Sequence, residues 1–502
     1  MFLKRFFKRP DWPVSVILVV IFVLAAILRF WRIDEYQTFL GDEGRDVLVV
    51  KRMLLDGKFT LLGPITSVGS IYMGPVYYYL MAPFLYLWRF DPVGPAVMVA
   101  LLSLCTILII YKIGKDYFHS AVGLIAAFTY SIARLSVVYG RSSWNPNVVP
   151  FFAVLLMFSV IKSLVDHKNS FLILAGLSLG ILIQLHYITF LFFPVLIAVF
   201  LYFKPNIPFR IYLYSLLAFL FSYSPFILFE LRHEFVNTLG AWNFIVAHNT
   251  GSTGLLIDSW WQTIRDVTIR IFWRLIVTGS AELTKYLIAG AGIIYFVSRS
   301  FFNSQTKTYN AFKILLIWLA VGILSFGLYR GAIYDYYFGS LFPLPHLFFA
   351  LFLFLLWKRN LPGKLTAVLL LGLITVFNII QSPLVIEPNN MVKNTREIAG
   401  FVLEKTGGTP YNFALLTDKN SDHAYRYFLE LWGSPPVVIE NPQADPERRS
   451  VTDQLLIVCE EKVCQPLGHP LWEIAGFGRA QIYGQWPVST VKVYRLTHYE
   501  KN

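Results

Sequence analysis

Long apolar segments alternate with short polar ones over most of the chain. Segments without a single Asp, Glu, Lys or Arg recur at 14–28, 93–111, 148–161, 170–203, 211–229, 286–298, 314–329, 336–357 and 365–386. Several are long enough to cross a hydrocarbon core of roughly 30 Å, and some can hold two crossings. The pattern therefore predicts a polytopic α-helical membrane protein.

Basic residues between these segments predict the topology. They form short clusters, and placing the N-terminus in the cytoplasm leaves every cluster on that side, as the positive-inside rule requires. This assignment predicts about eleven transmembrane helices. They cover roughly 14–31, 94–112, 120–138, 147–162, 170–186, 188–203, 211–229, 282–298, 311–328, 337–357 and 365–381.

One apolar segment does not fit as a crossing. Residues 75–88 contain Pro83 and are followed at once by Arg89 and Asp91, so we predict a helix over 75–90 that lies in the outer interface. A crossing here would reverse the orientation of everything downstream. The predicted topology leaves two long outer loops, 32–91 and 230–281, the second with an amphipathic stretch at 260–276.

The chain becomes polar after the last predicted span. Helix-like segments at 392–404 and 423–432 alternate with strand-like segments at 413–417, 454–459 and 491–496, which predicts a small α/β domain over 387–502. An odd number of spans places this domain outside the cell, behind a transmembrane module of residues 1–386. The sequence leaves open whether Cys459 and Cys464 form a disulfide or remain free thiols.

Composition narrows the functional classes. The chain is 56% hydrophobic and 17% aromatic, which excludes an ordinary soluble protein. A formal charge of +13 does not indicate nucleic acid as a partner, because the basic residues are dispersed between apolar segments. Neither a P-loop nor a GxGxxG motif after a strand is present, and metal-ligand Cys/His spacing is absent. A sugar donor carried on a membrane lipid would make a nucleotide site unnecessary.

The sharpest candidate for chemistry is Gly41-Asp42-Glu43-Gly44-Arg45, soon after the first predicted span. Asp42 is suited to act as a general base on an acceptor hydroxyl, and Glu43 to hold a divalent cation or a sugar hydroxyl. Acidic residues in a loop are also commonly just solvated, and this reading stays open.

Further polar side chains fall in the predicted outer loops. Candidates for binding the phosphate or the sugar of a donor are Arg45, Tyr77, Arg141, Asn145, His186, Tyr187, Arg330 and Tyr336, and Glu230, Arg232 and His233 are further candidates. Arg141 could instead anchor a helix end, and His186 with Tyr187 could form an ordinary interfacial pair.

The order of these features resembles the C-type glycosyltransferase superfamily, in particular the protein O-mannosyltransferase and lipid A aminoarabinose transferase group. Those enzymes carry an Asp-Glu pair soon after the first helix, here Asp42-Glu43, and a membrane-lying helix that opens like Gly74-Pro75-Val76-Tyr77-Tyr78-Tyr79. The likeness covers residues 14–381. It implies inverting transfer of a sugar from a polyprenyl phosphate to a lipid, glycan or protein acceptor, at the outer face of the plasma membrane.

Two departures from the group affect the expected site. Asn145 and Asn147 stand where members commonly have an Asp, and Gln184-Leu185-His186 stands where many have a Lys. The donor phosphate would then be bound by His186, Arg141 or Arg330. A transporter or flippase of polyprenyl-linked sugars is the alternative function, but the predicted spans hold almost none of the buried ionisable residues that transport favours. The expected partners are a polyprenyl-linked sugar, membrane lipids and an unidentified acceptor.

Overall fold

The structure, a computed structural model, describes residues 12–66, 71–249, 256–299, 301, 306–329, 331–418 and 420–499. Helices dominate it. They are α1 (Trp12–Phe30), α2 (Ile33–Tyr36), α3 (Gly41–Leu55), α4 (Val76–Leu87), α5 (Val93–Tyr117), α6 (Ser120–Ile132), α7 (Arg134–Tyr139), α8 (Val149–Leu164), α9 (Phe171–Leu185), α10 (Phe192–Phe203), α11 (Phe209–Arg232), α12 (Val236–Asn249), α13 (Leu256–Phe272), α14 (Ala281–Val297), α15 (Thr306–Phe326), α16 (Pro343–Trp357), α17 (Leu361–Ile380), α18 (Met391–Thr406), α19 (His423–Leu431) and α20 (Trp472–Ala475).

Shorter elements complete the chain. Single 3-10 turns cover Asn145–Val148, Tyr187–Leu191, Asp335–Leu341 and Pro383–Val385, and a π-helical turn covers Trp273–Val277. The strands are β1 (Asn412–Leu416), β2 (Gln454–Cys459), β3 (Ala480–Val488) and β4 (Val491–His498).

The chain divides into two compact units. The membrane unit comprises Met1–Trp31, Thr60–Leu80 and Val97–Glu387, and the tail unit comprises Arg32–Phe59, Met81–Ala96 and Pro388–Asn502. The prediction assigned 32–59 and 81–96 to the transmembrane module. In the structure both segments pack with the residues after 388, because hydrogen bonds join them to the C-terminal region.

Three such contacts hold the tail unit together. The amide of Asn390 donates to the carbonyl of Glu35 at 2.9 Å, and the guanidinium of Arg396 pairs with Asp91 at 2.6 Å. The hydroxyl of Tyr427 donates to the carbonyl of Phe90. Segments far apart in the sequence thus belong to one compact unit.

The described helices confirm a multi-pass membrane fold. Six are long and apolar enough to cross a membrane: Trp12–Phe30, Val93–Tyr117, Asn145–Leu164, Phe209–Arg232, Thr306–Phe326 and Leu361–Ile380. The pair Asp335–Leu341 and Pro343–Trp357, bent by 64°, makes a seventh if it counts as one span. Every predicted span falls on a helix or a helix pair, and the total of eleven crossings stays a prediction.

Helix α4 occupies the segment expected to lie in the interface. It has 12 residues and contains Pro83. A helix of that length extends about 18 Å, which is too short to cross the hydrocarbon core alone.

Small residues let neighbouring helices of the membrane unit approach closely. A Cβ atom on Gly176 of α9 would lie 2.1 Å from the carbonyl oxygen of Ser215 in α11, and one on Gly180 would lie 2.1 Å from Ser222 Oγ. Ser215 Oγ also donates to the carbonyl of Leu172 at 2.8 Å. Close backbone approach and interhelical hydrogen bonds of this kind stabilise helix pairs in lipid.

A fully buried cation joins three helices of the same unit. Arg29, near the end of α1, is 0% exposed and donates to Ser103 Oγ of α5 at 2.7 Å and to the carbonyl of Ser131 in α6 at 3.0 Å. Ionisable groups at membrane depth are costly, so several acceptors around one guanidinium are the expected compensation.

The predicted α/β region contains a four-stranded sheet in the order β1-β2-β4-β3. Strands β1 and β2 are parallel, with α19 in the connection between them, and β4 is antiparallel to β2 and β3. Buried side chains of β1, β2 and β4, including Ala414, Leu455, Ile457 and Leu496, form the core.

One strand of the sheet was not predicted. β3 contains Gly484 and Pro487, which weaken a strand pattern in sequence but are tolerated at a sheet edge, and β3 is an edge strand. The structure also answers whether the two C-terminal cysteines are bonded. Cys459, the last residue of β2, forms a disulfide with Cys464.

Candidate functional site

The acidic motif forms the first turn of α3 in the tail unit. The Leu40 amide donates to Glu43 Oε2 at 3.0 Å, and the Gly41 amide donates to Asn420 Oδ1 at 2.8 Å. A helix start leaves its first amide groups without intrahelical acceptors, and these side chains accept two bonds in this region. The motif is therefore an ordered helix terminus and not a solvated loop.

The two glycines of the motif have a packing function. A Cβ atom on Gly41 would lie 2.0 Å from Ser421 Oγ, and one on Gly44 would lie 2.3 Å from the backbone nitrogen of Ala424. Any larger residue would push α3 away from the start of α19. Glycine spacing of one helical turn thus brings the two backbones into contact.

The two acids of the motif differ in environment. The Asp42 side chain is 54% exposed and pairs with Arg45 at 2.9 Å. Arg45 also pairs at 2.8 Å with Asp46, whose side chain is fully buried. Asp42 is therefore a solvent-accessible carboxylate at a helix N-terminus, where the helix dipole favours negative charge.

Glu43 is buried. Its burial raises the pKa of Glu43 to about 7, although the hydrogen bond from the Leu40 amide acts in the opposite direction. One Glu43 oxygen accepts a hydrogen bond at the helix start and the side chain is closed off from solvent, and the cation-binding role of Glu43 stays a prediction. Among the residues that the structure describes, no group of three or more His, Cys, Asp and Glu side chains could hold a metal ion.

Residues that follow strands β1 and β2 contact the acidic motif or lie beside it, and the sequence analysis did not identify them. His423 Nδ1 lies 2.7 Å from Ser421 Oγ, and burial lowers the pKa of His423, with Asp422 opposing the shift. Asn420 and Glu460 form a hydrogen-bonded pair beside Gly41. A signal for them existed, because Asn420 and Glu460 follow the parallel strands β1 and β2, and the carboxyl ends of such strands carry many functional groups.

Several predicted donor-binding residues lie in the membrane unit, and two of them are engaged in tying loops to helices. Arg141 is 1% exposed and donates to the carbonyls of Leu28 at 3.3 Å and Trp31 at 2.6 Å, at the end of α1. Asn145 donates to the carbonyl of Leu185 at 2.5 Å. These contacts favour the helix-anchoring alternative for Arg141.

An aromatic cluster begins directly after Leu185, the residue to which Asn145 donates. The Tyr187 hydroxyl donates to that of Tyr337 at 2.5 Å and lies 3.1 Å from that of Tyr329. The ring of His186 stacks on Tyr187 with centroids 4.4 Å apart. Because His186 Nδ1 accepts the Ile188 amide at 3.2 Å, this geometry corresponds to a neutral imidazole, which lacks the charge expected of a phosphate ligand.

The remaining predicted aromatic residues also lie near this cluster. The Tyr77 hydroxyl is 2.8 Å from Ser143 Oγ, and Tyr77 is fully buried. The rings of Trp144 and Tyr336 have centroids 4.5 Å apart, and both side chains are partly exposed. The structure thus brings Tyr77, Asn145, His186, Tyr187 and Tyr336 into one region of the membrane unit.

Two arginines of this unit were not predicted. Arg270 and Arg274 pair with Asp335 at 3.1 and 2.7 Å, and Arg270 also donates to Asp266 and to the carbonyl of Ile333. Asp335 and Asp266 together balance the two guanidinium charges, and both arginine side chains stay partly exposed. Their four-residue spacing within the amphipathic stretch 260–276 was a signal, since such residues share one helix face.

The other candidates fall outside this arrangement. Glu230 is 3% exposed and accepts four hydrogen bonds from the backbone and side chains of Asn237 and Thr238. It caps the start of α12 and has no capacity left for a proton transfer. Arg232 is exposed, His233 stacks on Phe229, and Arg330 lies outside the described residues.

Comparison with known proteins supports a single fold assignment. Residues 73–229 match the family model described as dolichyl-phosphate-mannose-protein mannosyltransferase. No curated protein sequence matches the chain.

Solved structures match over most of the length. ArnT from Cupriavidus metallidurans in the apo state has a TM-score of 0.62 at 12% identity, covering 95% of this chain and 97% of ArnT. ArnT bound to undecaprenyl phosphate has a TM-score of 0.60 at 11% identity, covering 97% and 98%. The oligosaccharyltransferase AglB from Archaeoglobus fulgidus, in complex with an inhibitory peptide and a dolichol-phosphate, has a TM-score of 0.52 at 12% identity, covering 89% and 69%.

These matches confirm the resemblance to the C-type glycosyltransferase group of the mannosyltransferase and ArnT type. At such low identity the likeness is one of fold. The family match at 73–229 does not include the acidic motif, so the roles of Asp42 and Glu43 depend on their own geometry.

We expect the stability advantage of Glu43→Gln over the wild type, measured as a free energy of unfolding, to grow as the pH rises. The folded pKa near 7 lies above the ordinary value of 4.5, so the wild type loses stability between these pH values and stays lower above pH 7. The glutamine variant avoids this loss, which amounts to about 3 kcal/mol. Thermal unfolding of both proteins from pH 4.5 to 8.5 measures it. Glu404→Gln, at an exposed carboxyl, is the control, and a pH-independent difference between Glu43→Gln and wild type would contradict the burial of Glu43.

Proposed function

We propose that this protein is a glycosyltransferase that moves a sugar from a polyprenyl phosphate to an acceptor hydroxyl with inversion. The observation that carries the proposal is the fold, which is shared along nearly the whole chain with ArnT, including its form bound to undecaprenyl phosphate. The exposed Asp42 carboxylate supplies the base that such a reaction needs.

Asp42 is the proposed general base. As the acceptor oxygen attacks the anomeric carbon, Asp42 accepts the hydroxyl proton, and the bond from that carbon to the phosphate oxygen breaks. The lipid phosphate leaves with the electron pair. Arg45, 2.9 Å from Asp42, holds the carboxylate in place. Glu43 is buried and has no role in these steps.

Arg270 and Arg274 are the proposed ligands of the donor phosphate. Both are partly exposed, at 24% and 30% of the side chain, and Asp335 orients both guanidinium groups. Oriented guanidinium groups suit phosphate, because their N–H groups match its oxygens. Arg141 and His186, predicted earlier for this role, have side chains engaged in local contacts and are less suitable.

The proposed topology keeps eleven spans, a cytoplasmic N-terminus and a tail unit outside the plasma membrane. The disulfide between Cys459 and Cys464 supports this side, since disulfides persist in oxidising compartments. The distribution of basic clusters supports it independently. An acceptor outside the cell would then meet the donor at the outer leaflet.

A reporter enzyme that is active only outside the cell, fused after residue 502, tests the orientation. We expect full reporter activity, because an odd number of spans puts the C-terminus outside. A cytoplasmic reporter fused at the same point should be inactive. The opposite pair of results in a stably inserted fusion would mean that an even number of segments crosses.

We expect Asp42→Asn to lower the rate of transfer by about 100-fold or more, because asparagine keeps the size but cannot accept the proton. The assay follows release of polyprenyl phosphate from a radiolabelled polyprenyl-phosphate sugar, and donor binding should be retained. Asp34→Asn, at an exposed acid of the same unit, should be close to wild type. Full activity of Asp42→Asn in a folded preparation would remove the catalytic assignment, and donor moved by wild type without phosphate release would favour a flippase.

Arg274→Ala should weaken donor binding by about 10- to 100-fold, the loss expected for one charge-assisted hydrogen bond. Arg270 remains to pair with Asp335, so the fold should hold. The KM for the donor and the direct binding of polyprenyl phosphate both report the effect. Arg265→Ala removes the same charge from an exposed position of α13. Equal effects of the two substitutions would mean that general charge, and not a phosphate site, is responsible.

A further inference from the structure

The start of α3 is fixed to the sheet of the tail unit by one side chain. Asn420 Oδ1 accepts the amide of Gly41 at 2.8 Å and that of Ser421 at 2.9 Å. Its Nδ2 donates to both carboxylate oxygens of Glu460, at 3.1 and 3.2 Å. The asparagine therefore bridges the residue before Asp42 and a carboxylate at the end of β2.

Glu460 is itself held rigidly. Its oxygens also accept the hydroxyl of Thr417 at 2.9 Å and that of Tyr425 at 2.8 Å, and its own amide donates to the carbonyl of Leu416 at 2.9 Å. Strand β2, which ends one residue earlier, is buried along its full length. A polar network whose members are all bonded is rigid, and it transmits its geometry to what it contacts.

The close packing of α3 removes alternative positions for this helix start. The contacts of Gly41 and Gly44 with the backbone at 421–424 leave no space for α3 to slide without separating from α19. Since Asp42 directly follows Gly41, the bond from the Gly41 amide to Asn420 fixes the backbone from which the Asp42 side chain extends.

We propose that Asn420 and Glu460 are positioning residues that aim the Asp42 carboxylate at the acceptor hydroxyl, so that the C-terminal sheet is part of the catalytic apparatus. This inference rests on the proposed function. Neither residue touches the reacting atoms, and both act through the backbone of Gly41.

The rival reading is that these residues only join α3 to the sheet. A second contact provides the comparison. Arg52 of α3 and Glu430 of α19 form an ion pair at the end of α3 that lies away from Asp42. A purely structural role predicts equal effects at both ends of the helix. A positioning role predicts an effect on catalysis only at the Asp42 end.

The variants for the test are Asn420→Asp, the double variant Asn420→Asp with Glu460→Gln, and Glu430→Gln as the matched control. Asn420→Asp places two carboxylates against each other. The double variant restores the hydrogen bond between the two positions with donor and acceptor exchanged, since the new amide at position 460 can donate to the new carboxylate at position 420, which still accepts from Gly41. The hydroxyl that meets the new amide nitrogen, that of Thr417 or Tyr425, turns to accept from it. The readouts are kcat and donor KM with a polyprenyl-phosphate sugar, and hydrogen exchange of peptides that cover 39–46.

In Asn420→Asp we expect kcat to fall about tenfold with donor KM unchanged, because small misplacement of a catalytic group is costly. Exchange at the start of α3 should rise about fivefold or more, and the double variant should return both values to near wild type. Glu430→Gln should change neither. Unchanged kcat in Asn420→Asp, failure of the exchanged pair to restore kcat in a folded protein, or an equal loss in Glu430→Gln would each overturn the inference.

The outcomes also separate the inference from the proposed function. An inactive Asp42→Asn beside a fully active Asn420→Asp would remove the inference alone. If the wild type releases no lipid phosphate from any polyprenyl-phosphate sugar tested, the proposed function and the inference fail together.

Discussion

The contact between the start of α3 and the residues that begin α19 is the constraint on which the tail unit depends. It requires two positions without side chains, Gly41 and Gly44, because backbone atoms of 421–424 occupy the space that a Cβ would need. Once this contact exists, Asn420 can accept the Gly41 amide and Glu43 is buried. Asp42 then remains as the accessible acid of the Asp-Glu pair.

Four arginines of the membrane unit differ in burial and in the acceptors of their hydrogen bonds. Arg29 and Arg141 are almost fully buried, and backbone carbonyls or hydroxyls around helix ends accept their hydrogen bonds. Arg270 and Arg274 instead share one carboxylate and stay partly exposed. A buried guanidinium is occupied by the protein itself, whereas the partly exposed Arg270 and Arg274 can be reached from solvent.

The sequence predicted the features that follow from local pattern. The lengths of the uncharged apolar segments predicted the positions of the helices in the membrane unit, since a segment that lies in lipid must be both long and uncharged. Helix-like segments that alternate with strand-like ones predicted the α/β region, and this pattern missed the edge strand β3, which contains Gly484 and Pro487. The Asp42-Glu43 pair was identified by its place in the chain and by the resemblance that it carries.

What the sequence by itself determined is the membrane class and the approximate limits of the helices, with the acidic motif as a candidate site, because each depends on short stretches of neighbouring residues. Only the tertiary structure decided which acid is exposed, which arginines are occupied and which residues support the motif. Asn420 lies 379 positions from Gly41, and Asp335 lies 61 from Arg274. Burial and pairing depend on such distant partners, and the order of residues in a single sequence does not show which of them come into contact.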